Sequence, residues 1–302
     1  MRVAAFSEFG GPEVLRVTEF ETPEAGAGQV RVRVKAAGVQ PFDVAVRQGW
    51  TPGGVTGGLP RIPGNEFAGI VDQVGEGVGG ISVGAEVLGF ALLNSYAEYV
   101  VVPAENVTAK PANMPWEVAG GFTAGTQTAH IALEQLGVGQ GDTILVHAAA
   151  GSVGTAAVQL ARLRGATVIG TAREENHEYL RALGAIPVTY GDGLLERVRA
   201  LAPGGVDMVL DGAGGAALDV SLQLVKGERI ITLVEHDKAE ALGVQVTRGV
   251  RLASRLAELA DLYADGKLTF PIRRSYPLEH AADAHREVEA GHGRGKVVLT
   301  VG

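Results

Sequence analysis

The sequence predicts an α/β protein with a β-rich first part followed by a doubly wound parallel sheet. Three observations carry this. The stretch QVRVRVKAAGV (29–39) sets valine against charged residues at period two, as a half-buried strand does. From about residue 116, short apolar runs alternate with helical patterns, the rhythm of parallel strands joined by crossover helices. Residues HAAAGSVG (147–154) then form a glycine-bearing turn between an apolar run, TILV (143–146), and a helical pattern.

The elements follow in order. FAGIVDQVG (67–75), EVLGF (86–90) and YAEYVVVP (96–103) continue the β-rich part between glycine-rich turns. GWTPGGVTGGLPRIPG (49–64) is turn chemistry throughout, long enough for a mobile loop. In the second part, TILVHA, TVIGTA (167–172), IPVTY (186–190), VDMVLDGAG (206–214) and ERIITLV (228–234) read as buried parallel strands. Helical patterns at 153–164, 174–183, 192–201 and 215–225 separate them. Two amphipathic helices, 251–266 and 278–291, precede a last strand, KVVLTV (296–301).

Composition narrows the function. The 302 residues are 46% hydrophobic and 20% charged, with a net charge of −8 and no basic run. Nucleic acid and anionic membrane surfaces are therefore not expected partners. The chain has no cysteine, which removes disulfides, thiol nucleophiles and thiolate metal sites together. Of its seven histidines, His280 and His285 stand five apart on one helix and share no face, while His292 falls in a polar tail. No apolar leader and no long apolar run is present, so a cytoplasmic location is expected.

The turn at 147–154 is the most informative segment. A phosphate-binding turn needs little side chain, so that backbone N–H groups approach a pyrophosphate at the positive end of the next helix. Against the pattern Gly-x-Gly-x-x-Gly, the three positions are Ala149, Gly151 and Gly154. Ala149 suits the turn if its φ stays negative. A bare Gly-x-x-Gly also serves as a packing turn, but strand before and helix after favour a dinucleotide. Ala150, Gly151, Ser152, Val153 and Gly154 are then the expected cradle. The next strand ends in Gly170, Thr171 and Ala172 without an acid, and Arg173 follows. That arrangement suits a 2′-phosphate, hence NADPH over NADH. Arg173 also reads as a solvated charge at a helix start, and Glu174 and Glu175 weaken the preference.

The chain resembles the medium-chain dehydrogenase/reductase superfamily, in its zinc-independent quinone oxidoreductase (zeta-crystallin-like) branch. The matching segments run nearly end to end. They include GGPEVLRV (10–17), VRVKAAGVQPFDVAVRQG (32–49), IPGNEFAGIVDQVGEGV (62–78), YAEYVVVPAENV (96–107), ILVHAAAGSVGTAAVQLAR (144–162), LGAIPVTY (183–190), VLDGAGG (209–215) and GRGKVVL (293–299). The resemblance implies a GroES-like β-rich catalytic domain, residues 1–117 and 248–302, and a Rossmann NADP-binding domain, residues 118–247. The active site would lie in the cleft between them. It further implies hydride transfer from NADPH to quinones or α,β-unsaturated carbonyls, and a homodimer through edge strands.

Zinc-using relatives keep ligands at the positions of Gln40, Asn65 and Gly120, and all three are replaced here, so no zinc is expected. Without a Lewis acid, an electron-poor quinone or enone is easier to reduce than a simple carbonyl. By position in the family, Gln40 stands near the nicotinamide ribose and Thr128 beside the nicotinamide. Tyr190 either packs near the adenosine phosphate or finishes a core strand. Lys296 either reaches the pyrophosphate or is an edge-strand charge. Trp50 either lines the substrate pocket or covers an apolar patch under the loop. Asp43 has a structural or a catalytic role, and Tyr96 and Tyr99, three apart, face opposite ways as structural residues. No proton donor stands out. An NADPH-binding structural or regulatory protein with little turnover is the alternative. A zinc alcohol dehydrogenase is opposed by the replaced ligands.

Overall fold

The computed structural model describes residues 1–291 and 293–302, so His292 lies outside the described residues. The chain divides into two compact units, Met1–Ala124 with Arg251–Gly302, and Gly125–Val250. The first unit begins with β1 (Arg2–Ala5), β2 (Arg16–Glu19), β3 (Gln29–Val39), α1 (Pro41–Arg47), β4 (Glu66–Val74) and β5 (Glu86–Phe90). It continues with β6 (Tyr99–Pro103), β7 (Val107–Ala109) and the start of α2 (Trp116–Leu136), within which the unit boundary falls. The second unit follows with β8 (Thr143–Val146), α3 (Ser152–Leu163), β9 (Thr167–Thr171), α4 (His177–Ala182), β10 (Ile186–Val188) and α5 (Leu194–Leu201). It ends with β11 (Met208–Asp211), α6 (Ala216–Leu224), β12 (Ile230–Thr232), α7 (Ala239–Leu242) and β13 (Gln245–Val246). The chain then returns to the first unit with α8 (Ala253–Ala264), β14 (Ile272–Pro277), α9 (Ala281–Glu289) and β15 (Lys296–Thr300).

In the first unit, β3 is the strand around which the sheet is built. Val30, Val32 and Val34 are buried while Arg31, Arg33 and Lys35 alternate with them, as the period-two pattern requires. Each buried valine contributes roughly 1.5–3 kcal/mol of transfer free energy. The strand order is β14-β15-β3-β4-β5-β7, with β6 also on β3. Lys296 therefore begins an interior strand, not an edge, which corrects that reading of its charge. Val39 pairs with Val297 and Ala37 with Phe67, so the ends of β3, β4 and β15 bring Gln40, Glu66 and Lys296 together.

The second unit is a parallel sheet in the order β10-β9-β8-β11-β12-β13. Its direction of growth reverses at β8, and ligands of such sheets bind beyond the strand ends at that reversal. Ile144, Leu145 and Val146 are fully buried, as a strand covered on both faces must be. The β-rich first unit and the Rossmann-type parallel sheet of the second agree with the α/β architecture expected from the sequence.

The sequence reading did not anticipate α2, whose segment carries Gly120, Gly121 and several threonines. The glycines are there for contact. A Cβ on Gly120 would lie 2.5 Å from Ala36 Cβ, and one on Gly121 would lie 2.7 Å from Lys296 Cγ. Among the described residues, no helix is long and apolar enough to cross a membrane.

Candidate functional site

The turn after β8 is shaped by backbone geometry. Ala149 stays outside the left-handed region, and Ala148 is the residue that enters it, at φ 54°. Gly154 is required by packing, since a Cβ there would lie 2.4 Å from the Ala148 carbonyl oxygen. Gly151, the N-cap of α3, is extended at φ −73° and ψ 177°. A Cβ on it would meet only Ala148 O, at 3.3 Å, so its open side can receive a ligand. Gly151 has no capping side chain, so the N–H groups of Ser152, Val153 and Gly154 have no acceptor within the helix. With Ala150 preceding them, these residues form a backbone surface that fits a diphosphate.

Behind the turn, His147 is buried, with Nε2 3.0 Å from Ser221 Oγ and Nδ1 3.2 Å from Thr171 Oγ1. The Ser221 hydroxyl donates to Ala217 O at 2.8 Å, so it accepts from His147 Nε2–H. Burial lowers the His147 pKa to about 4, which keeps the ring neutral. Thr171 Oγ1 also accepts from Ala148 N at 3.2 Å, tying the strained residue to the end of β9.

A cavity of about 460 Å³ opens at the ends of these strands, lined by Ala148, Thr171, Tyr190, Gly191, Ala213 and Gly214. Arg173 is exposed outside this lining, and its Nε donates at 3.1 Å to the Oη of Tyr190, which belongs to it. Tyr190 does not finish a core strand: it is 47% exposed, two residues beyond β10. The turn after β11 is fixed by buried Asp211, whose Oδ1 accepts from Ala213 N (3.0 Å) and Gly214 N (2.9 Å). Thr232 Oγ1 donates to its other oxygen at 2.9 Å. Thr128 is half-buried on α2.

The first unit holds a separate polar cluster. The Lys296 ammonium donates to Gln40 Oε1, and Gln40 Nε2 donates to Asn65 Oδ1. Lys296 Nζ also lies 2.6 Å from Glu66 Oε1, with the two side chains 2% and 0% exposed. That approach is an ion pair off the hydrogen-bonding direction, because Oε1 has charge compensation but no aligned donor. Glu66 Oε2 accepts from Ala124 N at 2.6 Å. The pair fits because residue 38 is glycine: a Cβ there would lie 2.1 Å from Glu66 Oε1 and 2.8 Å from Lys296 Cε. Gln40 and Lys296, expected from sequence to meet a nucleotide, are thus brought into contact with each other, and Lys296 is sealed by it.

Beside this cluster, Asp43 caps α1 and accepts from Gln40 N (3.0 Å), Gly64 N (3.2 Å) and Tyr96 Oη (3.1 Å). His285 Nε2 lies 3.3 Å from Tyr96 Oη, and His285 Nδ1 lies 3.2 Å from Arg47 Nη1. Arg47 can only donate, so Nδ1 accepts and Nε2–H donates to the tyrosine, which donates to Asp43. Arg47 also reaches Gly10 O and Glu289. Burial pushes Asp43 up to about 7, while the Lys296 charge and the Gln40 and Tyr96 hydrogen bonds hold it from going higher. Burial and then the Arg47 charge lower His285 to about 3.

Asp43 and Tyr96 therefore act as structural residues within a sealed network. Tyr99 is half-buried under the Arg31 guanidinium, 5.3 Å from its ring centre. Trp50 is 52% exposed and meets Phe42 edge-on at 5.3 Å. Sequence reasoning missed Glu66, Arg47 and His285 as partners. A signal for His285 existed: Ala281, Ala284, His285 and Val288 recur at helix spacing, marking one buried face.

Residues 26–112 match the alcohol dehydrogenase GroES-like domain family, and residues 183–299 match the zinc-binding dehydrogenase family. The rat synaptic vesicle membrane protein VAT-1 homolog is 30% identical over all of this chain and 84% of its own length. The chain belongs to the medium-chain dehydrogenase/reductase family. Polyketide synthase GfsB of Streptomyces halstedii is 34% identical over 91% of the chain, which spans only 5% of that synthase. Among solved structures, a quinone oxidoreductase from Coxiella burnetii shares 30% identity over 100% of this chain and 99% of its own, with a TM-score of 0.87. An NAD-dependent alcohol dehydrogenase shares 33% over 100% of both chains, with a TM-score of 0.89. A mycobacterial protein complexed with NADPH shares 32% over 99% of this chain and 100% of its own, with a TM-score of 0.86.

The resemblance drawn from sequence implies that zinc-using members of this medium-chain family keep ligands where Gln40, Asn65 and Gly120 stand. Here two amides bond each other, an ammonium donates to one of them, and the third position has no side chain. This donor set does not fit a divalent zinc ion, which takes thiolate, imidazole or carboxylate and is repelled by a resident ammonium. Among the described residues, no three His, Asp or Glu side chains gather as metal ligands.

Proposed function

We propose that this medium-chain family member is a zinc-independent reductase that uses NADPH to reduce quinones or α,β-unsaturated carbonyls. The observation that carries the reading is the Lys296 ammonium at Gln40, a cation where zinc-using relatives keep a metal ligand. When bound, the reduced nicotinamide supplies a hydride. The chain's own part is binding and orientation. The N–H groups of Ser152, Val153 and Gly154 meet the diphosphate, and Arg173, beside Tyr190, pairs with a 2′-phosphate. A quinone or enone spreads the incoming charge over its conjugated carbonyl, so water suffices as the proton source.

One observation favours a nucleotide-binding protein of little turnover as the second reading: Asp43, Tyr96 and His285 are sealed in their own network. A single experiment separates the two. Metal-depleted protein is mixed with NADPH or NADH and a panel of quinones and enones, and reduced-nicotinamide absorbance is followed. Turnover with NADPH exceeding that with NADH supports the reductase. Tight NADPH binding without turnover supports the second reading, and turnover that appears only on adding zinc sinks the first. A homodimer through paired β13 strands is part of the same proposal, supported by exposed Leu242 and Val250, which flank that strand in the chain. Light scattering showing a monomer at assay concentration would remove it.

A further inference from the structure

We infer that the side-chain amide of Asn65 is a catalytic hydrogen-bond donor to the acceptor's carbonyl oxygen, with Gln40 and Lys296 as its positioning residues. The inference rests on the reductase reading above. It starts from the direction of each hydrogen bond in the Lys296–Gln40–Asn65 chain. An amide can be placed either way round, and its orientation is settled only by partners of fixed character. Lys296 is such a partner, because an ammonium has donors and no acceptor. Its bond to Gln40 fixes the carbonyl oxygen of that amide towards Lys296. Gln40 Nε2 is then the donor towards Asn65, so Asn65 presents Oδ1 to Gln40 and must point Nδ2 the other way.

Asn65 is 3% exposed, yet among the described residues nothing accepts a bond from its Nδ2. Nor is Nδ2 among the sealed polar atoms that lack a partner. A buried amide held this firmly, with its donor end unspent, suits an external oxygen. The backbone is pinned as well: Asn65 O accepts from Arg251 Nη1 at 3.0 Å and from Ala91 N at 3.2 Å. At the other end, Gln40 N donates to Asp43. Little reorganisation is left for the moment of reaction, which is the requirement for a donor that favours developing negative charge. Successive amide bonds polarise in one sense, so the cation at the far end strengthens the Nδ2–H donor.

The reacting atoms balance as follows. The β-carbon of an enone gains the hydride, and the electron pair of its C=C bond shifts to leave an enolate oxygen facing Asn65 Nδ2–H. Water then protonates the α-carbon, the hydroxide left behind takes a proton from the solvent, and the nucleotide that gave the hydride is left as NADP⁺.

Gln40→Glu tests the direction without emptying the site. A carboxylate accepts from Lys296 and from Asn65, so it turns the Asn65 amide round and presents Oδ1 where Nδ2 was. Asn65→Leu removes the donor altogether. The first readout needs no turnover: the infrared carbonyl band of cyclohexanone bound with NADP⁺, an unreactive combination. The band is expected at lower frequency than in water for the wild type, and without that displacement in both variants. The second is kinetic: kcat should fall about 10²-fold in both variants, as for loss of one oxyanion donor, with the NADPH Kd within about twofold of wild type. Should Asn65→Leu fail to fold, the isosteric Gln40→Glu decides alone. A wild type that reduces acceptors and a Gln40→Glu variant with the same rate and the same carbonyl band overturn this inference and leave the reductase reading standing. A wild type that reduces none of the quinones or enones overturns both.

Discussion

Lys296 and Glu66 meet as a buried ion pair, Nζ to Oε1 2.6 Å, over Gly38 of β3 from the strands β15 and β4 that flank it. Neither charge has water to fall back on, so removing one partner strands the other. Lys296→Met is expected to destabilise the protein by about 3–5 kcal/mol in urea titration. The double variant Lys296→Met/Glu66→Gln keeps an acceptor for Ala124 N and no net charge, and should recover most of that loss. Equal stability of the single and double variants would show that the pair is not the source.

Ala148 holds a left-handed backbone at φ 54°, a conformation that costs a residue with a Cβ about 1–2 kcal/mol. Ala148→Gly is expected to raise stability by roughly 1 kcal/mol, reduced somewhat by the freer unfolded chain. Gly154→Ala should do the opposite, because its Cβ would meet backbone atoms of Ala148 and Ala149 at 2.4 and 2.6 Å. Loss of about 1–3 kcal/mol, together with weakened nucleotide binding by calorimetry, is the expected result.

Arg173 is exposed beside Tyr190, so its effect should appear in cofactor choice and hardly in stability. Arg173→Ala is expected to raise the NADPH Kd roughly 10–100-fold, the loss of charged hydrogen bonds worth about 1.5–3 kcal/mol. NADH binding should change by less than about twofold. Equal weakening of both nucleotides would place Arg173 on another part of the cofactor.

Two buried groups pull the acid stability in opposite directions. His147 titrates near 4 when folded and near 6.5 when unfolded, so its contribution is full above pH 6.5 and is lost as pH falls towards 4. Asp43 is raised to about 7, so its contribution is full below its ordinary value of 3.8 and is lost as pH rises through 7. The whole-protein profile blends these two with His285, lowered to about 3, and a variant isolates the His147 part. His147→Gln is expected to cost most near neutral pH, with the deficit shrinking by up to about 3 kcal/mol on approach to pH 4. A deficit independent of pH would mean that the histidine binds protons equally in the folded and unfolded protein.

Local periodicity made much of this fold legible. The valine alternation of β3 and the apolar runs of β8 to β12 follow from which faces are covered, and neighbouring residues report that. The helix α2 was not legible, because its glycines answer to Ala36 and Lys296, contacts that no window of sequence contains. The same limit applies to the polar cluster. Gln40, Asn65, Asp43, Tyr96 and Lys296 each stood out singly, but Lys296 is 256 residues from Gln40, and only strand register joins them. The turn at 147–154 was legible as a type, and Ala149 keeps out of the left-handed region as that reading requires. The left-handed residue is its neighbour Ala148, which the glycine pattern does not mark.

Gly38 and Gly121 carry no chemistry, yet both are pressed against Lys296, with 2.8 Å and 2.7 Å left for a Cβ. The order in which substitutions accumulate is constrained accordingly. A descendant sequence must shorten residues 66 and 296 before it enlarges residue 38, and residues 296 and 298 before it enlarges residue 121, because in the reverse order the new Cβ collides with those side chains. Once residue 296 has shortened and either glycine has grown, the way back to lysine is closed until the glycine is restored.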